Sequence, residues 1–485
     1  MRLPSALPVR ALASILLAGA ALSACTLAPP YQRPTLPVAQ SWPSLGGPGA
    51  APVQASETTA ADLAWRDVIL DKRLQGVIDL ALRDNRDLRV AIGNIAKARA
   101  QYGVQRANLF PSINANAGVT RSHTPAGASG FPIAGSFDIT EYSANVGVAS
   151  YEVDLFGRIR SLNEEALQAF FSAEENRRAA QISLIAEVAN DYLALAADQD
   201  QLTLAQSTLA TRDDSLRLTR SRFEAGAASE LDVSQAQTLS EQARTDVAAG
   251  IARVDQDRDA LRLVVGAEIP PELQPAGDLP SIRLREDLPP GLPSDVLVRR
   301  PDVLSAEHAL KGQNADIGAA RAAFFPRITL TGQGGTASSS LSGLFAPGSG
   351  AWSFAPQISV PIFNGGANRA NLNASKASRD IAVSQYEKAI QIAFRDVADA
   401  LAIQATIADR ISSQERLVAA ADNARRLSQA RYERGVDSYL NLLDAQRTLY
   451  AAQQTLISTR LIAAANRVSL YSALGGGAGA PEAPH

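Results

Sequence analysis

Hydrophobic and polar positions along the chain change period twice, and then the whole pattern repeats. Between Arg158 and Glu224 neither proline nor glycine interrupts the sequence. Within that run Ile185, Val188, Ala189, Tyr192, Leu195 and Ala196 mark one apolar stripe at three and four spacing, the signature of an amphipathic helix. At about 1.5 Å per residue such a helix is on the order of 100 Å long, deeper than an ordinary globular domain. Before it, helical stretches begin near Asp62 and span about Asn85 to Leu109, ending at Phe110-Pro111, where proline cannot continue the ladder. The period then becomes two: Ile113, Ala115, Ala117 and Val119 alternate with Asn114, Asn116, Gly118 and Thr120, which predicts a two-faced strand.

The same sequence of elements returns in the second half. Gln105–Gly118 (QRANLFPSINANAG) matches Ala320–Gln333 (ARAAFFPRITLTGQ) without a gap. Strands are therefore expected at about 112–120 and 142–155, and again at about 327–335 and 352–362. The second pair alternates Ile328, Leu330, Trp352, Phe354, Ile358 and Val360 with polar neighbours. A second proline-free run extends from Ile362 to the glycine-rich tail at Gly475. The pattern divides the chain into a leader at 1–24, an N-terminal arm at 25–61 and a first repeat at 62–269. A connector at 270–301, read as irregular because it holds eight prolines, leads to a second repeat at 302–474 and a tail at 475–485.

Each long run is folded over at one point. Arg222–Gln237 (RFEAGAASELDVSQAQ) aligns without a gap with Arg431–Gln446 (RYERGVDSYLNLLDAQ). In each, an arginine (Arg222, Arg431) occupies the last turn of a helix, where the carbonyl end favours a cation. A glycine (Gly226, Gly435) supplies the left-handed closure. A serine (Ser229, Ser438) is expected to cap the next helix, with Asp232 or Asn441 at the reciprocal position. The chain thus contains two long helical hairpins with related tips.

Composition narrows what such hairpins can do. The chain is 46% hydrophobic and 5% aromatic, with a net charge of −3, so no basic face points to nucleic acid. No internal stretch reaches the roughly 18 to 20 apolar residues of a membrane-spanning helix. A membrane crossing would have to be made by strands. The three histidines, His123, His308 and His485, are scattered, and Gly332–Gly335 lacks the Lys-Ser/Thr of a phosphate loop. No catalytic constellation, metal site or cofactor is expected, and the chain is not read as an enzyme.

At the N-terminus Arg2 and Arg10 precede an apolar run, Ala11–Ala21, followed by Leu22-Ser23-Ala24-Cys25. This is a signal peptide whose end resembles a bacterial lipoprotein processing site, where the cysteine becomes the acylated first residue. Cys25 is the only cysteine in the chain. An ordinary secretory signal with a chance cysteine is the alternative. Thr26, rather than aspartate, follows it; by resemblance to sorting in enteric bacteria, that implies the outer membrane.

Strands of about 10 residues suit an outer membrane when tilted. Four strands cannot close, and an open edge in lipid leaves unpaired backbone groups costing several kcal/mol each. Closure must come from other copies of the chain: two copies give eight strands, too few for an aqueous lumen, and three give twelve. The helices, amphipathic but not apolar all round, are expected to close into a tube. The fold expected is mainly α with a membrane β-barrel, in which duplicated helical hairpins form a trimeric α-barrel below a twelve-stranded sheet.

The chain is similar to the TolC-like outer-membrane efflux channels, most of all the lipoprotein branch serving RND-type pumps. The resemblance rests on Tyr31-Gln32-Arg33-Pro34, Asp154–Arg158 (DLFGR), Gly291–Asp302 (GLPSDVLVRRPD), Gly318–Pro326 (GAARAAFFP), Pro361–Gly366 (PIFNGG) and both tips. It covers nearly the whole mature chain. It implies a homotrimer anchored in outer-membrane lipid, receiving substrate from an inner-membrane RND transporter through a periplasmic adaptor protein. The adaptor would grip the tips, shaped by Gly226 and Gly435 with Arg222, Arg431, Ser229 and Ser438. It also implies a periplasmic gate at Tyr432, Asp232, Asn441 and Asp444, where family members narrow the tunnel and hold it shut. Two departures alter the closing contacts: Asn441 replaces a frequent acid, and Asp437 stands where some relatives have arginine. A solvated helix start is the bland alternative for these polar residues. Phe110, Phe156, Phe324, Phe325 and Phe363 cluster at helix–strand junctions, as interfacial anchors or plain packing. The rival readings of the whole chain are a trimeric coiled-coil spacer lipoprotein, a duct for another transporter class, and an envelope enzyme.

Overall fold

The computed structural model describes residues 26–43, 62–125, 136–291 and 293–477. Cys25, with the rest of the leader, lies outside the described residues, as does His485. In chain order the helices and strands are α1 (Trp65–Val68), α2 (Lys72–Asp84), α3 (Arg86–Ala107), β1 (Ile113–Thr124), β2 (Phe137–Val153), α4 (Arg158–Glu224) and α5 (Glu230–Val265). The second half continues with α6 (Pro293–Leu297), α7 (Pro301–Ala322), β3 (Arg327–Ser338), β4 (Gly350–Ser359), α8 (Ala367–Glu433) and α9 (Tyr439–Ala473). Two units divide them. One comprises residues up to Pro34, Ile95–Ala173 and Ala306–Tyr386; the other comprises Thr35–Asn94, Glu174–Ser305 and the chain from Glu387 on.

The first unit holds a four-stranded antiparallel sheet in the order β1-β2-β3-β4. Its strands differ in length from the alternating segments. β1 and β2 run past the apolar pattern to Thr124 and Phe137 because polar cross-strand pairs extend the ladder: Asp138 meets His123 at 2.6 Å and Arg121 at 3.0 Å. β4 stops at Ser359, short of Pro361, which has no N–H to give. Between Val148 and Tyr151 the pairing of β2 with β3 shifts, and Ser150 adopts φ 54°. This bulge sets two residues of β2, Ala149 and Ser150, against Thr331 of β3 and brings Tyr151 and Val153 onto the face of Val146 and Val148.

The core of the second unit is the apolar stripe of α4. Ile185, Val188, Ala189, Tyr192, Leu195 and Ala196 are all buried, packed with Leu74, Val77, Ile78 and Ala81 of α2 and Leu261 and Val265 of α5. The connector is more ordered than its prolines imply. It contains 3-10 turns at Pro271–Leu273 and Leu279–Ser281, the second fixed by Asp200, whose carboxylate accepts the Asp278 and Leu279 N–H groups at 2.6 and 2.9 Å. Pro301 begins α7, a position where a missing N–H costs nothing because the first helical turn leaves its donors unpaired anyway.

Candidate functional site

The two tips share one backbone and differ in their side chains. Gly226 and Gly435 both lie at φ 74°, which a side chain rarely tolerates. At the first tip the Gly226 N–H donates to the Phe223 carbonyl (2.8 Å) and the Ala227 N–H to the Arg222 carbonyl (2.7 Å). At the second, Gly435 and Val436 donate in the same way to Tyr432 and Arg431, both at 2.9 Å. Ser229 then caps α5 in a reciprocal box: its Oγ accepts the Asp232 N–H at 3.1 Å while Asp232 Oδ2 accepts the Ser229 N–H at 2.9 Å.

Ser438 does not repeat this; its side chain makes no cap bond to α9. The reciprocal residue there is Asn441, and no capping box forms. Asp437 is gripped by Arg431, through Nε at 2.5 Å and Nη2 at 3.1 Å, which holds its carboxyl below the usual range. The arginines also depart from the expectation that each serves its own helix end. Arg222 reaches across to the other repeat, where Nη1 donates to the Tyr432 carbonyl at 2.8 Å and the guanidinium lies 4.6 Å over the Tyr432 ring.

Tyr432 is 4% exposed, its ring packed between the repeats. It meets Tyr439 edge-on at 5.3 Å and sits in a cluster with Ala236, Leu239, Leu442 and Leu443. Its hydroxyl lies 3.4 Å from Thr219 Oγ1; since Thr219 already donates to the Ser215 carbonyl, the tyrosine is the donor. Asp232 is committed to its capping box. Asp444 is exposed, one turn beyond Asn441 on α9. Sequence reasoning missed Thr219 and Tyr439. The available signal was the mismatch between repeats, Phe223 and Glu230 standing where the second tip has Tyr432 and Tyr439.

The register of the sheet sorts its two faces. Ile113, Ala115, Ala117 and Val119 of β1 stand opposite Val148, Val146, Ala144 and Tyr142 of β2; Ile328 and Leu330 stand opposite Ile358 and Pro356, and Gly332 and Gly334 opposite Phe354 and Trp352. These form one apolar face across all four strands. The other face carries Asn114, Asn116, Asn145, Ser143, Gln333, Thr329, Ser353 and Gln357. β1 and β4 are the open edges, and Ile113, Val119, Phe354 and Ile358 are exposed there, with Trp352 at 82%. Among the described residues no helix is long and apolar enough to cross a membrane.

The sequence profile described as outer membrane efflux protein matches residues 77–267 and 292–476. The chain belongs to the outer membrane efflux protein family. It is 47% identical over 469 residues to the toluene efflux pump outer membrane protein TtgC of Pseudomonas putida, covering 96% of each chain. It is 43% identical over 466 residues to the outer membrane protein OprJ of Pseudomonas aeruginosa, covering 96% of this chain and 95% of that one. The open-state MtrE outer membrane channel of Neisseria gonorrhoeae superposes with a TM-score of 0.82 at 40% identity, over 93% of this chain and 98% of that one.

The N-terminal arm of this efflux protein is strapped along α7. Glu307, with its side chain 3% exposed, accepts bonds from the Tyr31 hydroxyl (3.1 Å) and from Arg33 through Nε (3.1 Å) and Nη2 (2.7 Å), and pairs with Lys311 at 3.1 Å. Burial alone raises the Glu307 pKa, but the Arg33 and Lys311 bonds outweigh it and hold the carboxyl below its ordinary value. Farther along, Asn314 donates to the Pro29 carbonyl at 2.7 Å and Arg321 to the Leu27 carbonyl at 2.9 Å. Gly318 lies under the strap, where an added Cβ would come within 2.8 Å of the Ala28 nitrogen. At the helix–strand junctions Phe156 and Phe325 stack at 4.7 Å, while Phe325 is also exposed, as are Phe110, Phe324 and Phe363.

Proposed function

We propose that the chain is the outer-membrane channel of a tripartite efflux system, conducting small molecules passively from a periplasmic adaptor and an inner-membrane RND transporter. The observation that carries this reading is the sheet, with one apolar and one polar face and two open edges lined by exposed apolar side chains. Three copies joined edge to edge make a twelve-stranded barrel with the apolar face to lipid and the polar face to a lumen. The names of TtgC, an efflux pump outer membrane protein, and MtrE, an outer membrane channel, support the same role. At the tips, the exposed Val436, Leu231 and Leu440 offer apolar contacts for an adaptor.

The arm supports a lipid anchor at Cys25. As its residue numbers fall from Arg33 to Leu27, the partners on α7 rise from Glu307 to Arg321, so the arm climbs toward β3. Thr26 ends beside Ser161 at 3.4 Å, close to the helix–strand junction. An acyl chain on the preceding residue would start at the membrane surface. Mass spectrometry of the membrane-extracted protein is expected to find a lipid-modified N-terminal cysteine; a free thiol there would remove the anchor from this account.

A spacer lipoprotein without a lumen needs no such two-faced sheet. Deleting the gene should raise cellular retention of a fluorescent efflux dye, with recovery on complementation by the full chain. Unchanged retention in cells that express the matching adaptor and pump would refute the efflux role.

A further inference from the structure

The duplication makes the two halves of the sheet correspond residue by residue. Ile113, Ala117, Val119, Arg121 and His123 of β1 match Ile328, Gly332, Gly334, Thr336 and Ser338 of β3. Because Ile113 stands opposite Val148 and Ile328 opposite Ile358, Val148 of β2 matches Ile358 of β4. In the same way Val146 matches Pro356, Ala144 matches Phe354 and Tyr142 matches Trp352. Within the chain the halves join at the seam of β2 and β3, where Val148, Val146, Ala144 and Tyr142 meet Gly332, Gly334, Thr336 and Ser338. The outer edges lack such a seam: all of β4 and all but the last residue of β1 are exposed. The Ala337 N–H donates to the Ser349 carbonyl at 2.9 Å, so odd-numbered residues of β3 and β4 turn their backbone groups toward each other. The even-numbered ones of β4 point theirs outward, and Pro356, which has no N–H, stands among them as edge prolines do. Carried across the sheet, the same alternation leaves the odd-numbered residues of β1 pointing outward.

We propose that β4 joins β1 of the next copy in the register of the in-chain seam, with Ile358, Pro356, Phe354 and Trp352 opposite that copy's Ala117, Val119, Arg121 and His123. The inference rests on the three-copy barrel proposed above and adds which residues meet. In this register outward-pointing backbone groups face one another, and the apolar faces of the two sheets run on without a step. A slip of one residue would send one strand's apolar side chains to the lumen. On the polar face Gln357 falls opposite Gly118, as Gln333 stands opposite Gly147 within the chain, so each pair has one long side chain and one absent. Away from the helices the two seams differ. Thr336 and Ser338 meet Ala144 and Tyr142 within the chain, whereas Arg121 and His123 meet Phe354 and Trp352 between copies. A guanidinium beside an aromatic ring adds a cation–π attraction, so the seam between copies carries a clasp that the in-chain seam lacks.

Paired cysteines test the register, and Cys25 is the only native one. Ala355 and the next copy's Thr120 would form a closely spaced pair without mutual hydrogen bonds, the kind whose side chains lie nearest. Within one chain β1 and β4 are three strand spacings apart, about 14 Å, so a disulfide between them has to join two copies. The full chain carrying Thr120→Cys and Ala355→Cys, oxidised in detergent, is expected to run as three linked chains on a non-reducing denaturing gel. Gly118→Cys or Ser122→Cys with Ala355→Cys, each a slip of two residues, should link far less. Stronger linking through a slipped pair would overturn the register and leave the barrel standing. No linking in a variant whose native mass is three chains would overturn this seam, and a native mass of one chain would remove the barrel and the inference with it. For the clasp, Arg121→Gln should lower by a few degrees the temperature at which the three-chain assembly dissociates on a native gel. Thr336→Ala, the counterpart within the chain, should leave that temperature unchanged. Dissociation of Arg121→Gln at the wild-type temperature would overturn the clasp.

Discussion

Arg222 and Tyr432 join the two repeats at the tip: the guanidinium lies 4.6 Å over the phenol ring and Nη1 donates to the tyrosine's own carbonyl at 2.8 Å. Arg431, which holds the same place in the second repeat, turns back on Asp437 within its own loop. One arginine therefore ties the hairpins together, and its counterpart closes a turn. The cross-repeat bond also satisfies a carbonyl at the end of α8, where the helix field favours a cation.

Arg222→Ala is accordingly expected to loosen the end of α8 by about 2 kcal/mol, from the lost charged hydrogen bond and cation–π contact. Hydrogen exchange of the amides at 430–436 should accelerate by about tenfold or more. Tyr432→Phe should have a far smaller effect, because it removes only the long hydroxyl contact to Thr219. Equal effects from the two variants would place the coupling in the hydroxyl and not in Arg222.

Asp444 is exposed and Asn441 lies one turn before it. Around a three-fold axis, Asp444 would form a single acidic ring that repels itself and attracts cations. Asp444→Asn is expected to lower cation selectivity and divalent block in bilayer recordings, and Asn441→Asp to raise both. Unchanged selectivity in both variants would place Asp444 away from the constriction.

The hairpins were legible because helix breakers, periodicity and terminal glycines are local signals that the duplication states twice. The two-faced strands were legible for the same reason. Contacts across the repeats were not. The reach of Arg222, the burial of Tyr432 and the pairing of β2 with β3 depend on residues far apart in sequence, which no local pattern encodes. Ser438 misled because the capping motif is also local: the residues match the motif, yet no cap bond forms there, while the neighbouring Asp437 is fixed by Arg431. The docking of the arm was not legible because it joins Tyr31, Arg33 and the carbonyls of Leu27 and Pro29 to α7 residues far along the chain.

The strap of the arm should release in acid. The Glu307 pKa is depressed in the folded chain, so its stabilisation is present above the ordinary glutamate value of about 4.3 and is lost as pH falls through the lower folded value. Glu307→Gln should release residues 26–33 already at neutral pH, seen as faster hydrogen exchange there. Exchange that matches the wild type in this variant would mean that Asn314 and Arg321 suffice to hold the arm.

Asp198 of α4 lies beside Asp257 of α5, and burial together with that neighbouring carboxylate pushes its pKa up to about 6. A raised folded pKa gives stability that is full below about pH 4 and lost as pH rises through about 6. Asp257→Asn removes the competing charge, so the fall in Tm between pH 4 and pH 7 should be smaller than in the wild type. Identical pH profiles would show that the pair does not couple these helices.

Single-channel recording of the purified full-length protein in a planar lipid bilayer tests the central claim most directly. Discrete conductance steps are expected from an assembly of three chains, small in the wild type and larger in Arg222→Ala, where the tips are untied. A folded three-chain assembly that inserts yet conducts in neither form would contradict a lumen and make the chain a closed spacer.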